Sequence, residues 1–246
     1  MRRIWLLVVL LLALPGGAAA QFIYRWTPVP MDSTWDAMKD FRATLVIEKY
    51  DAQVAPLQEI VGYSEAEYDK YRPESPLSNF AADVVRAVAE KKTGEKVDVS
   101  LMNFGGIRLD EIPQGNVLLD DFVSMFPFKN HLCWVQLSGA DLRRLFEQIA
   151  RENIQVIGGA RLVIDGTKLV SAEIAGQPLD DAKDYGVATV DFLLDGGDKL
   201  YVARNAKDLV ITKMMIYDAM MNYVRAETAA GRPLTYQTDG RVVIRK

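Results

Sequence analysis

Three short segments of the 246-residue chain combine residue types that could bind a ligand. Residues 103–108 carry a glycine pair just past a predicted strand end, where the absence of side chains lets the backbone approach a ligand closely. Residues 126–128 read Phe-Pro-Phe, and residues 191–198 combine an aromatic residue with three carboxylates and a second glycine pair. These segments are too particular for generic turns, and we take them as the candidate site.

Histidine and cysteine are nearly absent, which limits the chemistry open to the chain. His131 and Cys133 are the only residues of their types. A dinuclear metallohydrolase draws on several imidazoles and a structural zinc site on clustered Cys and His, so neither is expected. Nothing in the sequence places a serine beside His131, so no catalytic triad is assigned. We expect His131 to have a structural or solvent-exposed role and Cys133 to be a buried apolar side chain.

Strands and helices must position the three segments. Strands are predicted at residues 97–101, 131–137, 185–190 and 241–244, and Asp165-Gly166 indicates a hairpin within residues 161–174. Helices are predicted at residues 79–92 with Ser78 as N-cap, from Ser138 onward with Leu142, Leu145, Phe146 and Ile149 as the buried stripe, and at residues 213–229. Because strands and helices interleave with hairpins, we expect an α+β (mixed α/β) fold with a mixed sheet.

The first 20 residues have the pattern of a secretory signal peptide. Arg2 and Arg3 precede an apolar run over residues 4–14, and three alanines end at residue 20 in a small-residue cleavage pattern. Crossing a bilayer takes about 20 apolar residues, so this shorter run does not indicate a membrane span. We therefore expect export to a periplasmic or extracellular location as a soluble protein.

The rest of the chain is expected to have two parts. Residues 21–72 contain an apolar, helix-compatible stretch over residues 44–61, which predicts an N-terminal arm and a linking helix. The periodicity becomes cleaner past Glu74, and residues 73–246 are expected to form one globular domain.

The charge balance argues against a nucleic-acid polymer as partner. The chain has 29 basic and 33 acidic residues, and removal of the predicted signal would leave a net charge of −6. A polyanion binds poorly to such a surface, and no basic stripe is present. A small anionic ligand remains possible, because one well-placed arginine can hold a phosphate whatever the net charge.

The three segments form a series with two further motifs. Glu74-Ser75-Pro76-Leu77-Ser78-Asn79 is followed by N-x-G-G-I-R at residues 103–108, P-F at 127–128, S-G-A-D-L at 138–142 and F-x-x-x-G-G-D at 192–198. In order and interval, the series resembles the C-terminal domain of the 5'-nucleotidase family over roughly residues 61–246. In that family this domain carries the specificity site for a nucleotide, and a separate N-terminal metallophosphoesterase domain carries two metals.

The resemblance implies a role for each site residue. Phe128 and Phe192 would sandwich a nucleobase, a contact that contributes about 1–3 kcal/mol and tolerates different bases. Asn103 would contact the base or its surroundings, Asp198 the ribose hydroxyls, and Arg108 the phosphate. The predicted substrate-binding residues are Asn103, Gly105, Gly106, Arg108, Phe128, Phe192 and Asp198, with no catalytic residue and no metal ligand assigned in this chain.

Each residue also has a simpler interpretation. Phe128 and Phe192 could be core residues, and Asn103 could cap backbone groups at its strand end. Arg108 could be a surface ion-pair partner. Gly105-Gly106 and residues 195–198 could be ordinary turns.

The sequence departs from the family pattern at the first motif. The family often has a phosphate-binding arginine two positions after the glutamate, and Pro76 occupies that position here. Arg72 could replace it, and otherwise the site is expected to bind monophosphates weakly or to prefer nucleosides. Gly158-Gly159 resembles a family glycine near the base.

The larger departure concerns catalysis. The metal-binding motifs of the family, D-x-H, G-N-H-D and G-H-x-H, do not occur in this sequence. We therefore expect that the chain by itself does not hydrolyse phosphate esters and needs no cofactor of its own. The leading hypothesis is a nucleoside- or nucleotide-binding domain that serves dephosphorylation with a separately encoded metallophosphoesterase, which would carry divalent metals. The alternatives are a non-enzymatic binding protein and a degenerate scaffold that has lost its ligand.

Overall fold

The structure is a computed structural model that describes residues 25–30 and 41–245. The chain divides into two compact units, residues 1–49 and residues 50–246. In the first unit, residues 25–30 have no regular structure and residues 41–49 are helical. The predicted signal peptide lies outside the described residues. No helix in the described part of the chain is long and apolar enough to cross a membrane.

Helices and strands interleave along the described chain. The helices are α1 (Phe41–Val54), α2 (Pro76–Thr93), α3 (Leu119–Met125), α4 (Gly139–Glu152) and α5 (Ile216–Ala229). The strands are β1 (Ile60–Ser64), β2 (Tyr68–Asp69), β3 (Val99–Met102), β4 (Glu111–Ile112), β5 (Gly115–Leu118), β6 (His131–Ser138), β7 (Val156–Gly158), β8 (Ala160–Asp165), β9 (Lys168–Ile174), β10 (Gln177–Pro178), β11 (Asp184–Val190), β12 (Asp208–Met215) and β13 (Val242–Arg245). This confirms the predicted α+β (mixed α/β) fold.

The central sheet of the second unit has five strands in the order β12-β6-β11-β3-β7. β3 and β11 are parallel, and the other neighbouring pairs are antiparallel. Helix α2 packs on this sheet through Phe80, Val84 and Val85, all fully buried, and Ser100 of β3 donates a 2.7 Å hydrogen bond to the Ala82 carbonyl. A second sheet has the order β10-β9-β8-β13, and its β8–β9 hairpin turns at Asp165-Gly166 as predicted.

The globular body begins before residue 73, where the sequence analysis placed its start. β1 pairs with β5, with Ile60 opposite Leu118, and β2 pairs with β4, with Tyr68 opposite Ile112. These pairings join residues about 40 to 60 positions apart, which local periodicity does not reveal. The helix-compatible stretch was predicted at residues 44–61, whereas α1 ends at Val54 and β1 begins at Ile60.

The N-cap of α2 is Ser75, and the prediction of Ser78 was wrong. The Ser75 hydroxyl accepts a 3.1 Å hydrogen bond from the Ser78 backbone N–H, and the Ser78 hydroxyl accepts one of 2.9 Å from the Ser75 N–H. This reciprocal pair satisfies two backbone donors that the first helical turn leaves without partners. Pro76 lies in that first turn, where its missing N–H costs nothing.

Helix α4 begins as predicted. Ser138 is its N-cap and accepts a hydrogen bond from the Asp141 N–H at 3.2 Å. The four residues of the predicted apolar stripe are at most 7% exposed. The helix therefore begins at the capping motif and lies on the core through this stripe.

Helix α5 begins three residues later than predicted, at Ile216. Residues 213–215 belong to β12, because Met215 pairs with His131 at the start of β6. β12 itself was missed in the sequence analysis, although Val210, Ile211 and Thr212 are β-branched and favour an extended chain.

Glu74, the first residue of the first motif, is a structural carboxylate. It is 7% exposed. Its oxygens accept hydrogen bonds from the Asn79 side-chain amide at 2.8 Å and from the backbone N–H groups of Asp239 and Gly240 at 2.6 and 3.2 Å. A further 3.4 Å bond comes from the N–H of Val242. Glu74 thus links the start of α2 to the last strand of the domain.

Candidate functional site

One pocket of the second unit gathers all the sequence-predicted site residues. Its volume is about 270 Å³, and it is lined by Asn103, Gly105, Gly106, Arg108, Phe128, Asn130, Phe192 and Asp198. Asn130 is the residue that sequence reasoning missed. The sequence feature that could have identified it is a polar side chain between Phe128 and the first residue of β6.

The sheet topology explains why the three segments meet. β3 and β11 are parallel neighbours, with Val187 opposite Val99, so the segments that follow them leave the sheet at the same edge. These are residues 103–108 and 191–198. β6 is antiparallel to β11 and so begins at that edge, where residues 126–130 arrive. The pocket therefore lies where two strands end and their neighbour begins.

Phe128 and Phe192 are not core residues. Phe128 is 47% exposed and Phe192 is 46% exposed, whereas Phe126 in the same Phe-Pro-Phe segment is 4% exposed. A half-exposed aromatic ring at a pocket wall offers a face to a ligand at little desolvation cost. The core interpretation of these two residues does not hold.

Arg108 is free to contact an anion. Its guanidinium carbon lies 5.8 Å from the centroid of the Phe128 ring, within the range of a cation–π contact. Arg108 is in none of the ion pairs found among the described residues, although the pKa of the Asp110 carboxyl is lowered first by Lys70 and then by the charge of Arg108. Its backbone N–H donates to the Met125 carbonyl at 2.9 Å, which fixes the loop against the end of α3.

Asn103 is buried, at 6% exposure, yet its side-chain amide makes no hydrogen bond to any described residue. The alternative in which this side chain caps the following backbone is therefore wrong. A Cβ on Gly106 would lie 2.8 Å from the Asn103 Oδ1 atom, so the glycine leaves the space that this amide occupies. The Asn103 amide atoms are not among the fully buried polar atoms that lack a partner, so they are open to a ligand's polar atoms in the pocket.

The loop that carries Asp198 has an unusual backbone. Asp198 has φ 47° and Lys199 has φ 63°, both left-handed values that cost a non-glycine residue about 1–3 kcal/mol. A Cβ on Gly197 would lie 1.9 Å from the Phe192 carbonyl oxygen, so residues 191–193 and 197–199 pack backbone to backbone. This close approach holds Phe192 and Asp198 on the same pocket.

A second cavity of about 490 Å³ adjoins the first and shares Gly105 and Asp198 with it. Arg72 and Lys199 are its cationic residues, and Glu152 and Asp198 are its carboxylates. The Arg72 guanidinium donates to the Ile154 carbonyl and lies 4.2 Å from the centroid of the Phe104 ring. Burial lowers the pKa of Arg72, and the nearby Asp198 carboxylate opposes this in part. Arg72 therefore lies beside the pocket of Asp198 rather than within it.

Two further groups lie outside the pocket lining. Gly158 is in β7, where a Cβ would lie 2.5 Å from the Ser100 hydroxyl, so it serves close packing rather than the pocket. The carboxylates of Glu67, Asp69 and Glu111 lie within 4.8 Å of one another at exposed positions of β2, β4 and the residues before β2. Carboxylates at the protein surface often cluster without binding a metal.

Comparison with known proteins finds a matching family and relatives of this chain. A family sequence model described as "5'-nucleotidase, C-terminal domain" matches residues 53–205. An apyrase of Tabanus yao is 31% identical over 194 residues, which cover 68% of this chain and 34% of the apyrase. A cell wall protein of Listeria monocytogenes is also 31% identical, over 69% of this chain and 24% of that protein. The chain thus spans about a quarter to a third of the length of these relatives.

Solved structures show the same fold. The structure of a 5'-nucleotidase precursor from Thermus thermophilus matches with a TM-score of 0.73 and 23% identity, over 84% of this chain and 43% of that protein. The NAD nucleotidase of Haemophilus influenzae matches with a TM-score of 0.64 and 20% identity, over 89% of this chain and 46% of that protein. In both cases the matching region is less than half of the larger protein.

Proposed function

The chain belongs to the 5'-nucleotidase C-terminal domain family, and on that premise we propose that it binds a nucleoside or nucleotide with the base between Phe128 and Phe192. The observation that carries the proposal is the pocket itself, where two half-exposed phenylalanines lie with the Asn103 amide, which makes no hydrogen bond to any described residue. Stacking on two aromatic rings supplies affinity without strict choice of base.

The polar residues of the pocket are expected to contact different parts of the ligand. The Asn103 amide, which makes no hydrogen bond to any described residue, can donate to and accept from the edge of the base. Asp198 at the opposite end of the loop motif accepts hydrogen bonds from ribose hydroxyls. A carboxylate acceptor makes a stronger bond with a hydroxyl than a neutral group does, so the sugar contributes to both affinity and orientation.

The phosphate contact is the weakest part of the site. Arg108 is the one guanidinium in the pocket lining, and Arg72 lies in the adjoining cavity beside Asp198. Pro76 occupies the first turn of α2 and has no group to offer a phosphate. We therefore expect adenosine and its monophosphate to bind with affinities within about tenfold of each other.

Catalysis is assigned to a partner. The relatives include an apyrase, and solved structures with this fold include nucleotidases, each much longer than this chain. We propose that a separately encoded metallophosphoesterase supplies the divalent metals and that the two chains together dephosphorylate nucleotides. The proposed setting is outside the cytoplasm, supported by the signal pattern of residues 1–20 and by the relative described as a cell wall protein.

Calorimetric titration of adenosine into the wild type and Phe192→Ala tests the base clamp. Loss of one stacking face should weaken binding about 5- to 150-fold, which corresponds to about 1–3 kcal/mol. Tyr63→Ala is the matched control, because Tyr63 is a 52% exposed aromatic residue on β1 outside the pocket. Equal affinities for wild type and Phe192→Ala would contradict the clamp.

The catalytic partnership is tested separately with exported metallophosphoesterases assayed on nucleoside monophosphates, with and without this chain. The proposal expects a change in rate or in base preference that Phe192→Ala abolishes. If adenosine binds but no phosphoesterase responds, the chain is a nucleoside-capturing protein without an enzymatic partner.

A further inference from the structure

An ion pair joins His131 and Asp191 at the sheet edge that carries the pocket. The His131 Nδ1 atom lies 2.9 Å from an Asp191 carboxylate oxygen, and the two side chains are 42% and 31% exposed. The last residue pair of the β6–β11 ladder is Val190 with Leu132, so His131 and Asp191 are the next cross-strand neighbours. The contact therefore extends the pairing of two strands just past the end of their ladder.

This ion pair connects the two segments that carry the phenylalanines. Phe192 directly follows Asp191 in a short turn, and Phe128 lies three residues before His131. The Phe128 segment is held on its other side by a 2.9 Å hydrogen bond from the Ile216 N–H to the Asn130 carbonyl. Loosening the ion pair would let the two rings move relative to each other while the strands stay paired.

We infer that His131 and Asp191 are positioning residues that set the separation of Phe128 and Phe192. A hydrogen bond to a carboxylate is short and geometrically specific, so it fixes the segment that begins β6 against the segment that follows β11. Removing this bond should weaken nucleoside binding, because the two rings would no longer be held at one spacing. The inference rests on the proposed nucleoside-binding function.

The test is calorimetric titration of adenosine into the wild type and two variants of His131. His131→Ala removes the bond to Asp191 and should weaken binding about two- to five-fold, as expected for a half-exposed pair. His131→Gln keeps a side-chain donor for the Asp191 carboxylate and should restore most of the wild-type affinity.

Lys207→Gln is the matched control. It removes the 2.6 Å ion pair between Lys207 and Asp184 at the opposite end of β11, and it should leave the adenosine affinity unchanged. Wild-type affinity in His131→Ala would overturn the inference, and so would a loss in His131→Gln equal to that in His131→Ala.

A measurement without ligand separates this inference from the proposed function. Amide hydrogen exchange of residues 190–194 should be faster in His131→Ala than in the wild type and unchanged in Lys207→Gln. If the wild type fails to bind adenosine, the proposed function fails, while faster exchange in His131→Ala would still support the positioning role. Unchanged exchange in His131→Ala would overturn that role.

Discussion

Replacing Gly197 by alanine should disturb the pocket through a single added methyl group. A Cβ at this position would lie 1.9 Å from the Phe192 carbonyl oxygen and 2.8 Å from both its carbonyl carbon and a ring carbon. Gly197 does not have a positive φ, so alanine meets no strain from its own backbone conformation. The perturbation is therefore a steric displacement of Phe192.

The size of the displacement follows from ordinary contact distances. Carbon and oxygen atoms in contact are about 3.4 Å apart, so the two turns must separate by about 1.5 Å. Such overpacking typically costs about 1–3 kcal/mol of folding free energy. It also moves the Phe192 ring away from a stacked base, with a loss of about 1–3 kcal/mol in binding, or about 5- to 150-fold in affinity.

Adenosine affinity and the free energy of unfolding in urea are measured together on Gly197→Ala. Gly166→Ala is the control, because Gly166 lies at the β8–β9 turn with φ 58° and its added methyl group would meet no atom within 4 Å. It should lose about 1–2 kcal/mol of stability from backbone strain without any loss of adenosine binding. Wild-type adenosine affinity in Gly197→Ala would refute the claim that this close approach positions Phe192.

Two further predictions concern buried side chains outside the pocket, Glu74 and Cys133. Glu74→Gln should lower the free energy of unfolding in urea by about 2–3 kcal/mol. The substitution places an amide where a buried carboxylate accepts hydrogen bonds from four donors. A loss below about 0.5 kcal/mol would contradict this role. Because burial raises the pKa of the Cys133 thiol to about 12, the folded thiol should react with a disulfide reagent at about pH 8 on the order of 100-fold more slowly than the unfolded chain. The free energy of unfolding should also fall as the pH rises from about 9 to 12, because the thiol ionises in the unfolded chain before it ionises in the folded one. This loss of stability from the thiol should be absent in Cys133→Ala.

The residues of the candidate site were assigned from the resemblance of their short motifs to a family, and the structure brings them to one pocket. Asn103, Phe128 and Asp198 each follow or precede a strand whose pattern is local, so the motif and its position in the fold can be read together. Asn130 could not be found this way, because its place in the lining depends on how the loop before β6 crosses the sheet edge. The separation of Arg72 from the main pocket likewise depends on tertiary packing.

The misplaced elements share a physical cause. β1 and β2 are short, and their partners lie far along the chain, so their pairing leaves little local signal. Ser75 and Ser78 both fit an N-cap, and only the reciprocal hydrogen bonds distinguish the cap from the third helical position. Residues 213–215 were assigned to a helix because the apolar pattern of β12 runs directly into that of α5.

A crystal structure of the protein with adenosine tests the central claim most directly. The account predicts that the adenine ring lies between the rings of Phe128 and Phe192, with the Asn103 amide at the edge of the base and the Asp198 carboxylate on the ribose hydroxyls. Adenosine bound elsewhere on the chain, with the two phenylalanines free of ligand, would contradict it.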